Sequence, residues 1–128
     1  MSSIVSFKDL NAWQKGMDLM VAVYKTSHVF PADERFGLTA QVRRAAISIP
    51  SNVAEGHGRR TQADFVHFLD VARGSANEVE TQLLIAERLG FTRREATAPA
   101  LALVEEVQRI LKGLIGSLEA SGVTDVRA

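Results

Sequence analysis

Most of the residues in this chain whose types can do chemistry lie between Arg43 and Gln82, in the run RRAAISIPSNVAEGHGRRTQADFVHFLDVARGSANEVETQ. One available chemistry is anion binding. Gly56-His57-Gly58-Arg59-Arg60 leads into a helical pattern, and a helix N-terminus with free N–H groups and nearby guanidiniums can cradle a phosphate. The run lacks the G-x-x-x-x-G-K-[ST] spacing and follows a helix pattern rather than a strand, so nucleotide hydrolysis is not expected. The ordinary alternative is an interhelical turn with glycines for shape and arginines in solvent. A carboxylate-bridged metal pair would need inward-pointing Glu from two helices and Glu-x-x-His from two more. The chain offers one Asp64-x-x-His67 pair, and His28, His57 and His67 show no i,i+4 pairing, so no metal is expected. Ser48, Ser51 and Ser75 have no base and orienter placed beside them by the sequence. No catalytic residue and no cofactor is assigned, and the protein is expected not to be an enzyme.

The remaining polar set is Arg43, Arg44, Asn52, Glu55, Glu78 and Gln82. An antiparallel hairpin folding near Arg59 would bring Arg43 and Arg44 level with residues 74–78, because both arms rise equally per residue. Either arginine can then pair with Glu78, and Asn52 can face His67. One reading makes Asn52, Glu55, Glu78 and Gln82 a structural network that fixes helix register. The other makes the set a ligand or partner site. Arg43, Arg44, Arg59 and Arg60 are the candidate nucleic-acid contacts, since five arginines face one acid, Glu55, between Arg35 and Arg60. Paired or solvated arginines are the commoner outcome. The chain as a whole carries fifteen basic and fifteen acidic side chains, which gives no global attraction to a polyanion. The balance is uneven: residues 1–63 hold eight basic and five acidic groups, and residues 64–128 hold seven and ten.

Four amphipathic helices must position these groups. Leu10, Trp13, Met17, Met20, Val21, Tyr24 and His28 recur at spacings of three and four, predicting a helix over 9–29 with Asp9 at its start and Phe7 stapled to its first turn. Leu38, Val42, Ala45, Ala46, Ile49 and Val53 predict a second over 35–56, with Pro50 kinking it near Ala46–Ile49. Gly56 and Gly58 are expected to end it at positive φ. Thr61 and Asp64 read as the cap of a third helix over 62–89, with Phe65, Phe68, Leu69, Ala72, Ala76, Val79, Leu83 and Ala86 on its apolar face. Gly74 within it suggests close approach of a neighbouring backbone, and Gly90 its C′ position. Thr92 and Glu95 suggest a further cap, while Pro99 suggests that the fourth helix, placed over 93–120, begins its regular turns nearer Ala98. Val104, Val107, Leu111, Leu114 and Leu118 form its stripe. Leu103, Ile110 and Ile115 widen that stripe, which points to burial on two sides and hence to a subunit interface. The tail from Ser121 has no pattern, and fraying is expected there. The fold class is therefore all-α, an antiparallel up-down-up-down four-helix bundle, as one domain over 1–128.

With 128 residues and no cysteine, the chain can bury a core without disulfides. MSSIVSFKDL lacks the features of a secretory signal, and no apolar run reaches the roughly 20 residues of a membrane span. A cytoplasmic protein without a membrane partner is expected.

Three blocks carry a family resemblance: Phe7-x-Asp9-Leu10-x-x-Trp13-Gln14, the run from Arg43 to Arg59 with Ser48, Ser51-Asn52 and Glu55-Gly56-x-Gly58, and Phe65 to Leu83 with Gly74-Ser75, Glu78 and Gln82. Over about residues 5–118 the chain resembles the 23S rRNA intervening-sequence proteins. That resemblance implies an antiparallel four-helix bundle assembling into a ring-like homopentamer, with no catalytic residues. The family includes members encoded inside 23S rRNA insertions. It also includes accessory proteins of diversity-generating retroelements, which look like basic adaptors for a reverse transcriptase and its nucleic acid. Those accessory proteins are strongly basic, whereas this chain has a net charge of zero. The leading expectation is a non-enzymatic, homo-oligomeric helical adaptor contacting RNA, DNA or a nucleic-acid enzyme through the arginines of the second helix and the following turn. The alternative is a structural or protein-interaction bundle with no nucleic-acid role.

Overall fold

The computed structural model describes residues 6–127, and side chains over residues 6–121. Its helices are α1 (Asn11–Ser27), α2 (Leu38–His57), α3 (Gln62–Arg88) and α4 (Arg94–Arg127), with 3-10 turns at Phe7–Asp9 and Ala32–Glu34 and no strand among the described residues. Each helix packs on two neighbours, α1 on α2 and α4, α3 on α2 and α4, while the diagonal backbones stay apart. The result is the expected antiparallel four-helix bundle. Its axis is filled by side chains withdrawn from water, among them Leu19, Val42, Ile49, Val53, Leu69, Val79, Leu83, Val107 and Leu111.

The ends of the helices show which local signals decided their limits. Phe7 meets Trp13 edge-on at 5.5 Å, as a staple should. Asp9 does not cap α1; it belongs to the preceding 3-10 turn, and Leu10 takes the N-cap position without a side-chain bond. α2 begins at Leu38 rather than 35, because the Glu34 carboxylate accepts the Leu38 N–H at 3.0 Å and so satisfies one free donor of the first turn. Thr61 does cap α3, accepting the Asp64 N–H at 3.1 Å. Thr61→Ala is expected to lower stability by about 1 kcal/mol in a urea titration, and Thr61→Asp to leave it nearly unchanged.

Gly90 has φ +77°, with its N–H bonded to Glu87 C=O and the Phe91 N–H to Ala86 C=O, a Schellman closure of α3. It is the one positive-φ residue among those described. Gly56 and Gly58 are therefore not there for positive φ. Gly56 instead marks the closest approach of α2 to α3, where an added Cβ would lie 2.8 Å from Phe68 Cβ. Gly74, expected at such an approach, has open space around it.

Thr92 does not cap α4, since its hydroxyl is buried without a hydrogen-bond partner. α4 nevertheless starts at Arg94 and not near Ala98: the Ala96 and Thr97 N–H groups both bond to Arg93 C=O. Pro99 is accommodated inside the helix, with exposed Glu95 losing the backbone donor that proline lacks. The backbone also stays helical past Ser121 to Arg127, because propagation adds a backbone bond per residue without needing an apolar pattern. The wide apolar stripe of α4 is used within one chain. Ile115 is buried, and Leu103, Ile110, Leu114 and Leu118 pack half-buried against the same core. The exposed large apolar side chains lie elsewhere, on α1, α2, α3 and the connections.

Candidate functional site on the seam of α2 and α3

Helical periodicity puts Gln41, Arg44, Ser48 and Asn52 in one row along α2, and Ser75, Glu78 and Gln82 in one row along α3. The antiparallel register sets these rows against each other. Gln41, Arg44, Ala45, Ser48, Ser75, Glu78 and Gln82 line a single open groove of about 480 Å³. The small residues Ala45, Ser48, Ala72, Ser75 and Ala76 allow the helices to come close here, and Gly56 extends that approach to the turn.

One rung of this ladder is closed. Ser48 Oγ lies 2.8 Å from Ser75 Oγ, and Asn52 Nδ2 donates to both Ser48 Oγ and Ser48 C=O at 2.8 Å. Ser75 is 5% exposed, so this bond forms away from bulk water and ties the two helices at a fixed register. The other rungs are open. Arg44 and Glu78 share the groove without forming an ion pair, and Gln82 Oε1 is buried with no donor.

Of the four residues expected to form a network, Asn52 joins the serine link. Asn52 pairs with Ser48 and not with His67, which is exposed with its ring edge-on to Phe68 at 5.3 Å. Glu55 pairs with Arg59 at 3.2 Å, one turn along α2, and takes no part in the seam. Glu78 and Gln82 lie in the groove but outside the serine link. Ser48 and Ser75, two of the three serines beside which the sequence places no base, bond to each other instead. The available signal was the i,i+4 spacing of Ser48 and Asn52, together with a hydroxyl at Ser75 inside an otherwise apolar face.

The four arginines occupy four environments. Arg43 reaches back to α1: Nε donates to Ser27 Oγ at 2.8 Å, Nη2 to Tyr24 C=O at 3.4 Å, and the guanidinium lies 4.5 Å above the Tyr24 ring. It holds the C-terminus of α1, where free carbonyls and the helix dipole favour a cation. Arg44 faces the groove beside Glu78. Arg59 is paired with Glu55 and covers the Phe68 ring at 4.7 Å. Arg60 is exposed on the α2–α3 turn, without an ion pair among the described residues. From Arg44 to the end of α2 at His57 the helix rises about 20 Å at 1.5 Å per residue, so the two pairs do not merge into one patch.

No group of three or more His, Asp or Glu side chains suited to a metal ion occurs among the described residues. No helix among them is long and apolar enough to cross a membrane.

A family model described as 23S rRNA-intervening sequence protein matches residues 8–113. Among solved structures, the chain is similar to a Bacteroides thetaiotaomicron protein of unknown function from the S23 ribosomal protein family. The TM-score is 0.73 at 25% identity, covering 81% of this chain and 97% of that one. No curated protein matches the chain.

Proposed function

The chain belongs to the 23S rRNA-intervening sequence protein family, and from that premise we propose that it is a non-enzymatic helical adaptor that works as a homo-oligomer. The observation that carries this reading is the placement of apolar side chains on the outer faces of the bundle. Trp13, Met17, Met20, Ile47, Pro50 and Ala54 line a groove of about 240 Å³ on the α1–α2 side, flanked by exposed Val21 and Tyr24. Leu84, Ala98, Leu101 and Ala102 line a second groove of about 400 Å³ on the α3–α4 side, edged by Glu80, Glu87, Arg94 and Glu105. Two different apolar surfaces on one protomer suit a head-to-tail contact, which closes into a ring when the rotation between copies divides a full turn. A ring of five is what the family resemblance implies. Light scattering at micromolar concentration is expected to return about five times the chain mass of 14.0 kDa. A monomer mass would overturn the reading. Ile47→Glu, which puts a charge on the α1–α2 surface without touching the bundle axis, is expected to shift the mass toward monomer.

A second reading, nucleic-acid contact, is supported by the turn between α2 and α3. Arg60 has no ion pair among the described residues and lies beside Arg59 and His57, at the N-terminus of the 27-residue α3. Phosphate neutralisation predicts affinity for structured RNA or duplex DNA that falls with salt, with a log–log slope near −0.9 per phosphate contacted. The Arg59→Ala/Arg60→Ala variant should then reduce that slope by about 2. Unchanged binding would remove the turn from the site. Absence of binding at low salt would leave a protein-interaction bundle whose partners are other proteins.

A further inference from the structure

We propose that the α2–α3 seam is a binding site for a small zwitterion of the α-amino acid class. The proposal does not depend on the adaptor reading, and it rests on what the groove offers and what it leaves unsatisfied. Its rungs run in order along the seam, Ser48 with Ser75, then Arg44 with Glu78, then Gln82 at the far end. Two serine hydroxyls share one hydrogen bond, so one hydroxyl proton is left over. Asn52 Nδ2 already donates to Ser48 Oγ, so that oxygen has limited room for further donors. At this end the groove therefore presents a hydroxyl donor and the Arg44 guanidinium, a pair suited to a carboxylate. At the other end it presents the Glu78 carboxylate beside the Gln82 side chain, whose Oε1 is buried and unpartnered, so that a small turn of Gln82 toward the groove gives an ammonium group two acceptors.

Other ligand classes fit less well. A phosphate would be drawn to Arg44 but repelled by Glu78 in the same groove. A metal ion would find one carboxylate and a guanidinium, too few ligands and a repelling charge. A neutral apolar ligand would leave the guanidinium, the carboxylate and the amide oxygen unpaired. A ligand bearing a carboxylate and an ammonium one carbon apart satisfies both ends and neutralises the groove. The carboxylate would lie toward Ser48 and Arg44, and the ammonium toward Glu78 and Gln82.

The test is isothermal titration of the full-length protein with glycine and L-alanine, and separately with acetate and methylammonium at the same ionic strength. Both amino acids are expected to bind at least about tenfold more tightly than either single-charge probe, since each probe engages one end only. Arg44→Gln and Glu78→Gln, both exposed positions whose change leaves the core intact, are each expected to weaken glycine at least about tenfold. Ser75→Ala should weaken it less, through the lost hydroxyl link. Acetate binding as well as glycine would make the groove a simple anion site, and methylammonium doing so a cation site. Either result overturns the proposal. So would the absence of heat from every probe, which would leave Arg44 and Glu78 as solvated surface charges. Loss of glycine binding leaves the mass of the oligomer and the salt-dependent titration untouched, so failure here is separable from failure of the adaptor reading.

Discussion

Gly56→Ala is expected to destabilise the protein by about 1–3 kcal/mol, even though alanine is the better helix former by about 1 kcal/mol. The reason is the contact that glycine permits. A Cβ at Gly56 would sit 2.8 Å from Phe68 Cβ, 2.9 Å from Phe65 Cδ1 and 3.2 Å from Phe65 C=O. A Cβ has no rotamer by which to escape, and two of the three obstacles are fixed to the α3 backbone. The helices must therefore separate near the turn, which loosens the edge-on packing of His57 on Phe65 and of Arg59 over Phe68. Gly74 provides the internal control. It lies in the interior of α3 with nothing within 4 Å of an added Cβ, so Gly74→Ala is expected to stabilise by up to about 1 kcal/mol. Urea titrations of both variants at one protein concentration should show midpoints moving in opposite directions. Equal shifts for the two would mean that the α2–α3 approach is not the constraint inferred here.

Leu111→Ala is expected to cost about 2–5 kcal/mol, the usual range for a large-to-small change where the cavity cannot collapse. Leu111 is fully withdrawn from solvent on the inner face of α4, between Val104 and Val107 on one side and Ile115 on the other. Ile110, half-buried at the edge of the same core, should cost less when cut to alanine, because part of its surface already faces water. The pair also bears on assembly. If the broad apolar face of α4 carried the subunit contact, Ile110→Ala would lower the oligomer mass with little effect on the protomer. Because these side chains pack against their own bundle, the expected result is the reverse: lower denaturation midpoint, unchanged mass.

Much of this protein is legible in its residue order. The 3-4 spacing of apolar side chains in four segments, with the breaks at Pro31, Gly58 and Gly90, is enough for an all-α antiparallel bundle, because short connections make sequence neighbours antiparallel and the four stripes bury one another around a common axis. The Thr61 cap and the Gly90 closure also follow from local chemistry, since each satisfies backbone groups of its own helix end. Equal rise along the two arms puts Arg43 and Arg44 level with residues 74–78; the groove holds Arg44 and Glu78 without an ion pair between them, while Arg43 turns to α1. What depended on neighbours across the bundle was not legible. Glycine reads the same in sequence whether it serves a turn, a close approach or nothing, and only the position of α3 separates Gly56 from Gly74. Arginines alike in sequence differ because Arg43 meets the end of α1, Arg59 meets Phe68 and Glu55, and Arg60 meets no charge partner among the described residues. The serine link could not be read either, since two hydroxyls far apart in sequence become a bonded pair only when the helices fix both register and rotation. Local order determined the helices and their ends, where each requirement is met within a few residues. The tertiary structure decided which polar groups meet, because that depends on distances between helices that no single segment contains.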